Sequence, residues 1–583
     1  LNGKRILLKG ASMHSIRPET GRTLSFADME ENLRWMKELN FNCVRTHCYP
    51  PDEHFLDLCD EQGLLVINEI GGWWKPLDKE VGPKIVKEFL VRDVNHPSIV
   101  LWANGNHMAH VPEFDEVFFK WDIQKRRPLK NEAKANDIFK NYDPEFDIVN
   151  TTYYPGYEKL MKGLFEENHI LLPNETLQQL YDGGGGANLK TYWDAFEASK
   201  VGGGLMIWAL FDEGLMRTDM GYTVDCQGSK AADGILGPRG ERTDCYYTVR
   251  EVWSPVVIAN DRIDGGFDGK LDVHNKFTFL NLNQCAIQWK LLNFANPDSA
   301  NKGHRTVASG KVAVGDIPAG SKGTLSLDLP DTYLNSDALS IEVRDASGQL
   351  VYAKRMPTTN DRTWFRANLK KPFTKDKGNG KVITFRRGTS ALRFDAHSGV
   401  LTAVLDKNKT TSLGTFPSLE FAAEDPDAKI DTGKGSRAIV TKKDGAFIIE
   451  SKNTKGFDAL KWTLKPSGEA VLDYAYTLPK GNYHYAGIGM KVAANDVLRK
   501  RWMGEGPARI WKNRTQGGVL DVYAVEKQIN VPGAVYNPPE FEGCFAPWNW
   551  AVFYLKNNLN IGFQNHTDVT LGVLNPVNGH SPK

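Results

Sequence analysis

The chain carries almost no net charge: 72 Lys and Arg stand against 71 Asp and Glu in 583 residues. No field of one sign exists to draw in nucleic acid or an anionic membrane surface, so neither is expected as a partner. No apolar run reaches the length needed to span a bilayer. Cysteine is scarce at 7 residues. None of its spacings is CxxC or finger-like, which reads as scattered thiols rather than a disulfide framework or a zinc module. A dinucleotide-binding glycine fingerprint is also missing, which counts against a doubly wound open sheet. Leu1 stands where an initiator Met would, and LNGKRILLKG begins on a strand-like run, so a fragment of a longer precursor is expected. The missing leader therefore carries no information on secretion.

What is present is an ordinary globular composition, 41% hydrophobic and 11% aromatic, in a length that calls for three or four domains. The 15 Trp suit sugar-stacking surfaces and apolar cores equally.

Residues 1–254 alternate strand and helix signals, the mark of a parallel α/β domain. Strand-like runs stand at 5–11, 42–49, 64–70, 99–105, 127–130, 147–154, 169–175 and 204–214. Between them, 26–39 repeats Met29, Leu33, Met36 and Leu39 at helical spacing, 52–62 ends at Gly63, and further helices are predicted near 82–94 and 188–199. Eight strands at this spacing predict a (β/α)8 TIM barrel. The tetraglycine at 183–186 is too short for a linker and reads as a loop at the barrel mouth. Past 254 the helical period ends. Short alternating runs such as KFTFLNLN (276–283) and LSIEVRD (339–345) predict an immunoglobulin-like β-sandwich over 255–357. A linker is expected at 358–379, and a larger C-terminal β-sandwich over 380–583. The fold class is thus multidomain, α/β plus all-β.

Two strand ends carry the chemistry. HPSIVLWANGNH (96–107) and HILLPNE (169–175) each run from a buried-strand pattern straight into polar residues. In a parallel barrel such C-terminal strand ends build the open face. Glu175 sits at the second. A Glu at 107 would complete the carboxylate pair of a retaining glycosidase, but the chain has His107.

At these residues the chain resembles glycoside hydrolase family 2, the family of β-galactosidases, β-glucuronidases and β-mannosidases. The stretches that carry the resemblance are GASMHSIRPETGRTLS (10–25), NFNCVRTHCYPPDEHFLDLCDEQGLLVINE (40–69), DVNHPSIVLWANGN (93–106), PNETLQQLYDGG (173–184), GGLMIWALFDEG (203–214) and DGILGP (233–238). Residues 488–514 look like the terminal β domain of the galactosidase branch, and by the resemblance the upstream sugar-binding-like and first sandwich domains of such enzymes are expected to be missing here. The resemblance implies Glu175 as nucleophile, Asn106 as the contact to the sugar 2-hydroxyl, and His107 in the acid/base place. Three readings of His107 stay open: an unusual general acid, a barrel that has lost acid catalysis but still binds sugar, and a residue altered from the natural one. His110 and Glu113 are the nearest substitutes, both expected in a loop.

The same resemblance places Trp208 on the aromatic wall of the sugar site, Tyr154 (Tyr153 as fallback) against the nucleophile, and Arg45 and His14 under the floor. Glu69 and Glu213, at strand ends, face the predicted mouth, where they would bind hydroxyls. An ion pair of Asp212-Glu213 with Arg217 or Arg45 is the alternative. The family's His before Tyr-Pro falls one place early here, at His47, with Cys48 in its position. The acidic magnesium cluster of some galactosidases is not reproduced near Trp73 and Trp74, so no catalytic metal or other cofactor is expected; retaining hydrolysis needs none. Those two Trp are candidates for a rim platform, and Trp550 rather than Trp548 or the reverse should face a core. An oligo- or polysaccharide is the implied partner, with a homo-oligomer suggested by the analogy alone.

Overall fold

A computed structural model describes residues 1–583 except 73–74, 107–110, 125–128, 133–146, 151–160, 163, 166–169, 178–185, 228–229, 300, 361, 363, 366–371, 377–379, 408, 426, 434, 511–513, 526–540, 557–558 and 575–583. His107, His110, Tyr153, Tyr154, Trp73, Trp74 and most of the tetraglycine lie outside the described residues.

The N-terminal part is a TIM barrel. Seven strands, β1 (Leu8–Met13), β2 (Cys43–Thr46), β3 (Leu65–Glu69), β4 (Ile99–Ala103), β5 (Leu129–Glu132), β6 (Asp147–Asn150) and β7 (Gly204–Ile207), form one sheet in the order β6-β5-β4-β3-β2-β1-β7. Every pairing in it is parallel. The seventh predicted strand, 169–175, is an irregular segment joined to β7 and the residues just before it by parallel bridges, Leu171 to Gly202 and Thr176 to Ile207. Pro173 has no N–H to give to a ladder, and its carbonyl instead accepts from Met206 N at 2.8 Å.

Side chains two apart on a strand share a face, and this rule builds the barrel interior in layers. Leu8, Cys43, Ile67, Leu101, Leu172 and Met206 pack together in one buried cluster. Two residues further along β2 and β3 the interior turns polar, with Arg45 and Glu69, joined by Asn174 on the irregular segment and, past β7, Trp208, while β1 and β4 place Gly10 and Ala103 at that step. The apolar layer closes the bottom of the barrel. The polar layer above it opens toward the βα loops.

The helices bury their apolar stripes against the outside of the sheet. α1 (Phe26–Glu38) starts at Ser25 in a capping box with Asp28 and buries Met29, Leu33 and Met36. α2 (Glu53–Gln62) is capped by Asp52 and ends at Gly63, whose φ of 67° suits glycine. α3 spans Gly82–Asp93. α4 (Pro112–Trp121) corrects the expectation for Glu113, which lies in this helix's first turn rather than in a loop. Its exposed carboxylate pairs with Lys79 at 2.6 Å. Helices Leu189–Ala198 and Asp244–Val252 follow.

Beyond the barrel the chain is β-sandwich. A three-stranded sheet and the four-stranded sheet of Ala286–Phe294, His304–Lys311, Ala338–Arg344 and Leu350–Pro357 enclose one core around Trp289, Leu339 and Ile341. Five- and four-stranded antiparallel sheets then share a core of Phe385, Phe394 and Trp462. In the last four-stranded sheet Trp550 is fully buried, and Trp548 is half-buried. The C-terminal part docks on helix Asp244–Val252. Arg509 Nε donates to Asp244 Oδ2 at 2.6 Å, Arg514 bonds the Asp244 carbonyl, and Gly517 N donates to Glu251 Oε2 at 2.6 Å.

Candidate active site

The polar layer is organised by one guanidinium. Arg45, third residue of β2, is completely buried. Its Nε and Nη2 lie 2.7 and 2.6 Å from Glu69 Oε2, at the end of β3. Nη1 donates to Ser12 Oγ at 3.0 Å and to Glu175 Oε1 at 3.1 Å. Nη2 also donates to Asn106 Oδ1 at 3.0 Å. A planar fork with five N–H groups can hold several acceptors in fixed directions at once, which an ammonium cannot. Four segments of the barrel thus meet at Arg45. A carboxylate this deeply buried needs such partners, because desolvation otherwise opposes its charge.

Glu175 receives a second donor. Asn106 Nδ2 lies 3.3 Å from Glu175 Oε1 and 3.2 Å from His47 Nε2. An amide nitrogen donates, so His47 Nε2 accepts and its proton sits on Nδ1, 3.3 Å from Glu69 Oε1. Ser12, bonded to Arg45, donates to the Asn174 carbonyl at 2.7 Å and so braces the backbone just before Glu175.

Beside this network stands an aromatic group. The His14 and His47 rings are parallel with centroids 4.8 Å apart, and Trp208 meets both edge-on, at 5.5 and 4.7 Å. His14 Nδ1 lies 2.6 Å from Glu213 Oε1. Trp208 is half-buried and donates its Nε1 to Asp233 Oδ2 at 3.1 Å. Asp233 is held there by a backbone zip. Ala209 N donates to the Asp233 carbonyl and Ile235 N to that of Ala209, while Asp212 accepts from Gly234 N at 2.8 Å. A side chain at 234 would strike Asp212 N and the Phe211 carbonyl carbon, each 2.2 Å from its Cβ, so only glycine permits this approach. Burial, then the nearby charge of Glu213, pushes the Asp233 carboxyl up to about 7. Burial also raises Asp212 well above the ordinary carboxylate range.

The structure brings Arg45, Glu69, Asn106 and Glu175 into one hydrogen-bonded network, with His14, Trp208 and Glu213 in the group adjoining it. Neither proposed pairing of Asp212-Glu213 with arginine forms. Arg217 bonds Asp219 and Asp225, and Glu213 faces His14. Three members of the site were not read as such from the sequence: Ser12, His47 and Asp233. Ser12 shares the inward parity of Leu8, and Asp233 lies in the DGILGP stretch. His47, taken as a displaced contact, joins both halves of the site.

Among the described residues, two side-chain clusters offer metal-ligand atoms within 4.8 Å of one another, His14 with His47 and Cys48, and Asp57 with Asp60 and His96. Burial, then Glu69, pushes the Cys48 thiol up to about 11.

Residues 1–229 match the family model described as glycosyl hydrolases family 2, TIM barrel domain. A β-galactosidase of Photobacterium profundum is 32% identical over 366 residues, 56% of this chain and 34% of its own length. One from Priestia megaterium is 29% identical over 331 residues, 50% of this chain and 30% of its own length. The chain therefore spans about a third of these relatives. Among solved structures, a β-glucuronidase from Ruminococcus gnavus in complex with uronic deoxynojirimycin is similar at 20% identity and a TM-score of 0.33, covering 42% of this chain and 50% of that one.

Proposed function

We infer, from a barrel that belongs to glycosyl hydrolase family 2, that the protein is a retaining exo-β-glycosidase acting on terminal β-linked sugars, of the β-galactosidase kind. The observation that supports this is the burial of Glu175 at the strand ends, bonded by Arg45 at 3.1 Å and Asn106 at 3.3 Å. Glu175 is the nucleophile. The two donors share one oxygen, Oε1, and the carboxylate attacks the anomeric carbon to form the glycosyl-enzyme as the leaving oxygen departs. Asn106, next to the nucleophile, takes the sugar 2-hydroxyl. The half-buried face of Trp208 stacks on the apolar face of the pyranose, and His14, Glu69 and Glu213 serve hydroxyls or hold the groups that do. His107 occupies the acid/base position, where an imidazole with a pKa of about 6.5 can protonate a leaving oxygen near neutrality. Tyr154 supports the nucleophile. We assign the barrel to 1–254, the following sandwich to 255–357 and the larger one to 380–583, and we propose that the sandwiches also carry any subunit contacts.

One observation favours a second reading: a histidine in place of a carboxylate at 107. A binding protein without turnover, or an enzyme using another acceptor such as phosphate, would tolerate it. The experiment is intact and peptide mass after incubation with 2-deoxy-2-fluoro-β-glycosides bearing a dinitrophenolate, as galactoside, glucoside, mannoside and glucuronide. A good leaving group needs little protonation, so the expected result is a stable adduct on Glu175 with the galactoside. A folded protein that takes no label from any of the four would overturn catalysis in favour of binding.

A further inference from the structure

His47 directly follows β2 and is only 3% exposed, which sets its ring behind the site wall rather than at a ligand. It stacks parallel on His14 at 4.8 Å, so the lone pairs of the two rings do not converge on one ion. Both its nitrogens are engaged in the polar network instead. Nδ1 lies 3.3 Å from Glu69 Oε1, and Nε2 lies 3.2 Å from Asn106 Nδ2.

These neighbours satisfy the Asn106 amide in one orientation. Its Oδ1 accepts from Arg45 Nη2 at 3.0 Å. Its Nδ2 has two hydrogens, one for Glu175 Oε1 at 3.3 Å and one for His47 Nε2. Turning the amide over would set its NH2 group against the guanidinium and its oxygen against the Glu175 carboxylate. The arrangement holds while His47 Nε2 carries a lone pair. A proton there would place N–H against N–H. The amide would then have to leave His47 or turn over, and either movement loosens the second donor on Glu175. Glu69, facing Nδ1, keeps the single proton of the neutral ring on that far nitrogen.

Opposing charges act on the ring. Among the described residues, Glu69 Oε1 at 3.3 Å and Glu175 Oε1 at 3.9 Å favour an imidazolium. Arg45, bonded to both carboxylates, and His14 in the stack oppose it. Glu213 stands behind His14, and Asp233 behind Trp208. Cys48, next in the chain, has a thiol that burial keeps protonated.

We propose that His47 is a positioning residue for glycosyl transfer, which as the neutral imidazole holds Asn106, and through it Glu175, in place for attack, and which releases them when it takes a proton. The role rests on the glycosidase reading proposed above; the state of the ring does not.

Substitution separates the two contacts, because an Asn side chain reaches to the place of Nδ1 and a Gln side chain to that of Nε2. With a dinitrophenyl β-galactoside, whose leaving group needs little protonation, His47→Asn should lower kcat by roughly 30-fold and change KM little. His47→Gln, which can still accept from Asn106, should recover most of that loss. On the acid side, kcat of the unsubstituted protein should fall in two steps. The first, of roughly 30-fold, follows protonation of His47, and the last follows Glu175. This readout needs no variant to fold, and in His47→Gln the first step should vanish. A single step in the unsubstituted protein, or equal losses in His47→Asn and His47→Gln, overturns the proposal. Imidazole nitrogen NMR on isotope-labelled histidine, with His47→Gln for assignment, should find His47 neutral at pH ~8 with its proton on Nδ1. A charged ring, or a proton on Nε2, overturns it as well. No turnover and no fluoroglycoside label in the unsubstituted protein would refute the glycosidase reading, and the role with it, and leave the NMR result standing.

Discussion

Arg45 is where single substitutions should have the largest effects. Arg45→Lys keeps the charge but cannot reach Glu69, Ser12, Asn106 and Glu175 together. We expect kcat/KM on a dinitrophenyl β-glycoside to fall by roughly 100-fold and stability by about 3 kcal/mol in urea melts. Glu175→Gln should lower turnover of the same substrate by roughly 10,000-fold; unchanged turnover would refute the nucleophile. Asp233 gives a pH signature. Its folded pKa of about 7 lies above the unfolded value of about 3.9, so its contribution to stability is full below pH ~4 and lost as pH rises through ~7. Asp233→Asn keeps an oxygen for Trp208 Nε1 and removes that loss. It should stabilise the protein by about 2 kcal/mol at pH 8 and by little at pH 4.5, measured by denaturant unfolding. At this scale the sequence was informative wherever a motif met a strand end: Asn106 and Glu175 lie beside each other as their positions imply. It was misleading where one residue's parity decides direction. His47 precedes the family's expected place by one, yet it is the residue whose ring turns into the site.

Elements differ in how plainly their sequences announce them. β2, β3 and β4 are short apolar runs with abrupt polar ends, and α1 has both a capping box and a helical stripe. α4 has an apolar stripe of Phe114, Val117, Phe118 and Trp121 but no polar N-cap; it begins after Val111 with Pro112, so no polar start signal marks Glu113 as helical. The segment at 171–176 reads as a strand in sequence, but Pro173 breaks the ladder and leaves isolated bridges. The zip that carries Asp233 was invisible for another reason: it depends on backbone contact between 209–213 and 231–236 that no periodicity encodes. Its weak point is Gly234. Gly234→Ala should push the two segments apart, at about 3 kcal/mol, and should free the Trp208 indole from Asp233. The tryptophan fluorescence would then lose the pH dependence near 7 expected of the unsubstituted protein.

The whole molecule is tied together at helix Asp244–Val252. Burial alone would raise the Asp244 carboxyl, but Arg509 and Arg514 outweigh it and hold it below the ordinary range. The stability it supplies is therefore present above about pH 3.9 and lost as pH falls through the lower folded value. Asp244→Ala removes the carboxylate that faces Arg509 and Arg514 and should cost about 3 kcal/mol, with the C-terminal sheets released to protease before the barrel unfolds. At this scale the order of barrel and sandwiches is legible in the sequence, but the dock is not, because its partners lie far apart along the chain. The cluster around Arg45 has one further consequence. Two carboxylates, Glu69 and Glu175, bond the same guanidinium in a place that water barely reaches. We expect their mutual repulsion to strain the resting protein there, and a positively charged transition state to relieve it. Neutralising Glu175 should raise the melting temperature by a few degrees, roughly 1–2 kcal/mol, in the very variant that has lost its chemistry. Thermal tolerance and turnover should then pull selection at this position in opposite directions.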